Sequence, residues 1–220
     1  MKLLAANLLL LALIAGQLAA QDKEVATEET RTLSPERQAS ILRQATLYFD
    51  DGQYQAALRH LENLPTSTDQ NFDAENLKGV IYIKLGRLEE AREIFQSIVR
   101  QDPLYLVATY NLGELQFIEG NYPEALEHFR SLNRRDPRNE ELRFQMILCL
   151  VKLDQLEEAK KLAQGFHPSG STPAWYYIGA VMAKKAGDSQ QSKKYLATAR
   201  AIYGGPSCSF FDESLDKIEF

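Results

Sequence analysis

The sequence is poor in the residues that most catalytic chemistry draws on. Its 220 residues include two cysteines, three histidines and one tryptophan. Two cysteines cannot hold a disulfide-rich scaffold together. No C-x-x-C, H-E-x-x-H, G-x-S-x-G or P-loop string occurs, which removes the sequence signatures of the common redox, zinc-hydrolase, acyl-transfer and nucleotide-binding sites. Basic charge is also in deficit: 25 Lys and Arg stand against 30 Asp and Glu, for a net charge of −5. A nucleic-acid binder needs clustered cations to neutralise phosphates, and the doublets Lys160-Lys161, Lys184-Lys185 and Lys193-Lys194 are interspersed with acids as on solvated helix faces. At 45% hydrophobic and 25% charged, the composition is that of neither a disordered chain nor a membrane bundle.

The first segment stands apart from the rest. Lys2 is followed by the apolar run Leu8 to Ala15, then by Gly16-Gln17 and the small residues Ala19-Ala20. This is the layout of a secretory signal peptide over 1–20, with cleavage before Gln21. A retained membrane anchor is the rival, but Asn7 and Gln17 leave fewer apolar residues than the ~20 a spanning helix needs. Residues 21–33 are charged, Thr-rich and aperiodic, a solvated lead-in. Ser34-Pro35 then offers an N-cap followed by proline in the first turn.

From there the chain repeats itself every 34 residues. Gly52-Gln53-Tyr54-Gln55-Ala56-Ala57 aligns with Gly86-Arg87-Leu88-Glu89-Glu90-Ala91 and with Gly120-Asn121-Tyr122-Pro123-Glu124-Ala125. A further step reaches Asp154-Gln155-Leu156-Glu157-Glu158-Ala159, with Asp where the others have Gly. Asp102-Pro103 and Asp136-Pro137 keep the same spacing. Gly52, Gly86 and Gly120 sit where a first helix must close through a left-handed residue. Ala57, Ala91, Ala125 and Ala159 recur where two helices approach closely, with Tyr48, Phe95 and Phe129 filling the space between. One helix pair cannot bury its own apolar face, so such pairs stack into a continuous core.

On these residues the chain resembles the tetratricopeptide repeat (TPR) family. The resemblance implies an all-α fold: a right-handed superhelical solenoid of about five helix–turn–helix repeats over 34–206, with units near 38–71, 72–105, 106–139, 140–172 and 173–206. The small eighth position falls on Ala45, Gly79 and Gly113, while the fourth unit departs from the pattern at Ile147, Asp154 and Ala163. In 207–220, Phe211, Leu215 and Ile218 fall on one helical face between acids. They predict a capping helix over the last repeat.

The resemblance also implies a function without catalysis or cofactor. In this family the first helices line an inner groove that binds protein segments. Here those positions include Leu42, Phe49, Val80, Ile83, Tyr110, Phe117, Phe144, Leu148 and Tyr177, with Asn111 as a side chain able to hold a ligand backbone. So apolar a face marks an interaction site, or else core closed by tight winding or by the tail. The basic positions of the family's carboxylate clamp fall on Glu141 and Gln145, against binding of acidic C-terminal tails. The expectation is an exported adaptor, periplasmic or cell-envelope associated in a bacterium or else secreted, with a protein or peptide partner in an envelope complex. A homo-oligomer closed over the same stripe is the alternative. His60 and His128 lie two repeats apart, too far to share a metal. Cys149 is expected as a buried thiol, and a bridge to Cys208 would need the tail to fold back.

Overall fold

The computed structural model describes residues 33–64, 71–170, 172–218 and 220. The proposed signal segment and nearly all of the lead-in lie outside the described residues. Among the described residues there are eleven helices and no strand. They are α1 (Pro35–Asp50), α2 (Tyr54–Leu61), α3 (Phe72–Lys84), α4 (Leu88–Gln101), α5 (Leu106–Ile118), α6 (Tyr122–Asn133), α7 (Glu140–Lys152), α8 (Leu156–Ala163), α9 (Ala174–Lys185), α10 (Ser189–Tyr203) and α11 (Gly205–Asp216). The chain forms two compact units that meet between Leu85 and Gly86, so the boundary runs through the second repeat.

Each hairpin is made the same way. The peptide N–H of Gln53 reaches the carbonyl of Tyr48 at 2.8 Å and that of Gly52 reaches Phe49 at 2.9 Å. This pair of bonds requires a left-handed residue after the helix. Gly52, Gly86, Gly120 and Gly187 take φ of 72°, 73°, 78° and 85°. Asp154 occupies the same place at φ 59°, the one non-glycine with positive φ among the described residues. Its neighbours keep the bonds, with Gln155 N–H on the Leu150 carbonyl at 2.8 Å. Between repeats, Asp102 Oδ1 accepts from Leu104 N–H at 2.9 Å and Asp136 Oδ1 from Arg138 N–H at 3.3 Å, turning the chain into the next first helix.

Side-chain caps start several first helices. Ser34 accepts from the N–H of Arg37, Asn71 from that of Ala74, and Asn139 from that of Leu142. At α9 Pro173 itself is the cap, and the Thr172 hydroxyl accepts from Ala174 N–H at 3.3 Å.

Helix contact then follows the small positions. Ala45, Ala57, Ala91, Ala125, Ala159 and Ala199 are all without solvent exposure. A Cβ added to Gly113 would stand 2.8 Å from the Phe129 ring, and one on Gly179 would stand 2.9 Å from Tyr195, so these first helices lie directly on the aromatic residue of the second. The first unit gathers Ala45, Ala57, Leu58, Leu61, Ala74 and Ile81 into a small core. The second unit has a larger one running from Phe117 to Ile218, which includes Cys149 and Cys208.

Candidate functional site

The expected groove positions lie on first helices, and the two units treat them differently. In the first unit Leu42 and Phe49 of α1 and Val80 and Ile83 of α3 are half-buried. The Phe49 ring leans on Tyr54 at 5.6 Å and leaves part of its surface to solvent. Residues 42 and 49 are two turns apart, so both side chains stand on one face of α1. Nearby, a cleft of about 550 Å³ lies between α1 and the end of α2, with Arg37, Gln44, His60 and Asn63 beside Leu33 and Ile41. His60 is stacked on Tyr48 at 4.9 Å. Among the described residues that line it, the cleft has no carboxylate to set beside that imidazole as an acid–base pair.

In the second unit the expected groove is covered. Tyr110 and Asn111 are half-buried, but Phe117, Phe144, Leu148 and Tyr177 have no exposure at all. At these four positions the face is closed in this structure, as the alternative of a core covered by the tail expects. Phe117 turns into its own hairpin, edge-on to Tyr122 at 5.5 Å. Phe144 and Tyr177 are closed by α11, whose Phe211 ring sits 5.0 Å from the first and 5.2 Å from the second. The tail thus does more than cap the last repeat: it packs on α10 and runs back across α7.

Polar contacts accompany this aromatic cluster. Asp212 Oδ1 accepts from the Tyr177 hydroxyl and from Arg200 Nη2, each at 2.7 Å. Burial raises the Tyr177 phenol well above its ordinary range, and Asp212 raises it further. Gln145 Nε2 donates to Ser214 Oγ at 3.0 Å and to Glu114 Oε1 at 2.7 Å. The second oxygen of Glu114 pairs with Lys217. Tyr110 packs on Phe129 at 5.8 Å and is also driven to a raised pKa, first by burial and then by Glu114.

Other groups take structural places. Arg143 lays its guanidinium 4.2 Å from the Phe166 ring centre and donates to the Leu162 carbonyl at 2.9 Å, which explains a cation at an internal position. Burial lowers its pKa and also raises that of the Cys149 thiol. Although the tail folds back as a bridge would require, Cys149 and Cys208 are both free thiols. Among the described residues no His, Cys, Asp and Glu cluster suited to a metal occurs, and no helix is long and apolar enough to cross a membrane.

Comparison with known proteins agrees with this architecture. The family model described as "Psidin, N-terminal TPR repeats region" matches residues 42–203. The chain belongs to this TPR family. Among curated relatives, Hsp70-Hsp90 organizing protein 2 of Arabidopsis thaliana is 24% identical over 108 residues, covering 49% of this chain and 19% of that protein. A DnaJ homolog subfamily C member 7 homolog of Dictyostelium discoideum is 27% identical over 124 residues, 55% of this chain and 22% of that one. The chain spans about a fifth of the length of these relatives. Among solved structures, a thermophilic TPR protein of Thermus thermophilus shares 19% identity at TM-score 0.63, covering 83% of this chain and all of the other. MamA of Desulfovibrio magneticus shares 15% at TM-score 0.61, covering 77% of this chain and 97% of that one.

Within this TPR chain, the residue that sequence reasoning undervalued is Gln145. It enters the sequence reading only as a position where a clamp cation is missing, yet it is fully buried and joins α5, α7 and α11. A glutamine in the otherwise apolar run Phe144 to Val151 was the available signal, since a buried amide is kept only where its donors find partners.

Proposed function

We propose that the chain is an exported, non-enzymatic TPR adaptor that holds a protein segment along the inner face of its first helices and helps assemble an envelope complex. One observation carries this reading: in the second unit that face already holds an amphipathic helix, with Phe211 set against Phe144 and Tyr177. In the first unit Leu42, Phe49, Val80 and Ile83 are only half-buried and offer the same chemistry to a segment in trans. The curated relatives include proteins named as Hsp70-Hsp90 organizing proteins and as DnaJ homologs, and the first of these names supports a role in bringing proteins together. Glu141 and Gln145 at the clamp positions direct the reading toward an apolar or helical segment and away from an acidic tail.

A photo-crosslinking side chain at position 42 or 49, in the cell of origin, tests the groove. Capture of one distinct protein from both positions, but not from the exposed Gln55 of α2, is the expected result. Equal capture from all three sinks the groove, and capture of a second copy of the chain alone moves the function to self-association. Export is tested separately: the mature protein should begin near Gln21, and an intact Met1 on a membrane-embedded form excludes it.

A further inference from the structure

The contact between α11 and the inner face has the character of ligand recognition. A cap over a solenoid end needs only an apolar stripe inside and polar residues outside. Here the dry contact contains Gln145 and Ser214 without exposure and Glu114 at 9%. Four polar pairings accompany the Phe211 ring: Asp212 with Tyr177 and with Arg200, Ser214 with Gln145, and Lys217 with Glu114. Buried polar groups cost stability unless each meets its partner, so they select one register and one side-chain pattern over other apolar helices.

Two further observations set α11 apart from the rest of the core. Gln145 Oε1 is buried and has no hydrogen-bond partner. Exchanging the amide's oxygen and nitrogen would turn the oxygen toward the Glu114 carboxylate, so the orientation follows from its neighbours. The closed state therefore leaves one acceptor of this buried amide unmet. In addition, α11 is joined to α10 by the single residue Gly204 at φ 78°. Rotation at one glycine can swing the helix away without unwinding α10.

We propose that α11 is a resident stand-in for a helix of another protein, which displaces it from α7 and α9. That helix would carry an aromatic residue followed directly by an acid, a hydroxyl three residues after the aromatic, and a cation six after it, as Phe211, Asp212, Ser214 and Lys217 do. The proposal rests on the reading that the inner face binds protein segments. Because α11 is tethered, it competes at an effective concentration on the order of millimolar, so the intact chain holds a competing helix weakly until α11 is loosened.

The test uses the full chain and a fluorescein-labelled peptide of residues 205–220, followed by anisotropy. Phe211→Ala in the chain should strengthen peptide binding at least about tenfold over wild type. A Lys217→Glu peptide should lose at least about tenfold on that variant, and adding Glu114→Lys to the chain should restore it. Equal binding by wild type and variant overturns the proposal, as does indifference to the peptide charge. Exchange of α11 between two copies in solution, seen as a stable dimer, overturns it in favour of self-recognition. Should Phe211→Ala unfold the chain, amide exchange on the unaltered protein decides: α11 exchanging at least about tenfold faster than α9 supports displacement, and exchange at one common rate makes α11 permanent core. That failure would leave crosslinking from Leu42 and Phe49 intact, so the two readings fail separately.

Discussion

Gly120→Ala should destabilise the protein even though nothing obstructs the added methyl group. Gly120 has φ 78°, and no atom lies within 4 Å of where its Cβ would stand. The cost is therefore confined to the backbone. Holding an alanine in the left-handed region costs about 1–2 kcal/mol, and the smaller conformational entropy of an unfolded alanine offsets about 0.4–1 kcal/mol of that cost. A net loss of about 1 kcal/mol is expected. With a urea slope of about 2 kcal/mol per molar, the midpoint falls by about 0.5 M. Asp154 supplies the reciprocal experiment, since it occupies the equivalent place at φ 59°. Asp154→Gly relieves that backbone but removes an exposed pair with Lys185 at 2.9 Å, worth about 0.5 kcal/mol or less. Its midpoint should match or exceed wild type, while Asp154→Ala, which loses the pair and keeps the strain, should fall. Unchanged midpoints for Gly120→Ala and Asp154→Ala would refute the left-handed account of the 34-residue glycine period.

Ala125→Glu should cost on the order of 3–5 kcal/mol, because it puts an unpaired charge at a site without exposure; Asn121→Ala, at an exposed loop position, should cost far less, and denaturant midpoints compare them. Phe117→Ala should lower stability by about 3–5 kcal/mol with no selective loss of partner capture, since its ring is enclosed against Tyr122; thermal unfolding and crosslinking from Phe49 on the same variant separate the two effects. Burial lowers the pKa of His128, so its neutral form belongs to the fold. Its contribution is present above the ordinary histidine value of about 6.5 and is lost as pH falls through the lowered one. His128→Gln should flatten that acid limb of stability against pH.

Much of the fold was legible because its determinants are local. A glycine every 34 residues and an alanine five residues after it, with Phe95 and Phe129 four residues further in the second and third repeats, define a hairpin without reference to the rest of the chain. Even Asp154, which departs from the glycine pattern, adopts the same left-handed turn. Asx turns at Asp102 and Asp136 are likewise decided within three residues. The inner face was less legible for a physical reason. The stripe Phe211, Leu215 and Ile218 states that one side of a helix is buried, but nothing in its spacing says against what. Lys217 meets Glu114 across 103 residues, and a separation of that size leaves no periodic trace in the sequence.

That distant contact also bears on whether Phe144 and Tyr177 are groove or core, which the sequence left as alternatives. Both residues point from first helices toward the face that a ligand would use, and both are dry because a helix of the same chain lies on them. A permanent core at this place would be expected to close on apolar side chains alone, since a largely desolvated carboxylate such as Glu114, paired with the half-buried Lys217, rarely adds stability over well-packed hydrophobic residues. Its main effect is to decide which helix fits and in which register. On this view the two descriptions belong to two states of one surface. The free energy that docks α11 separates them, and each tenfold shift in that balance is worth about 1.4 kcal/mol.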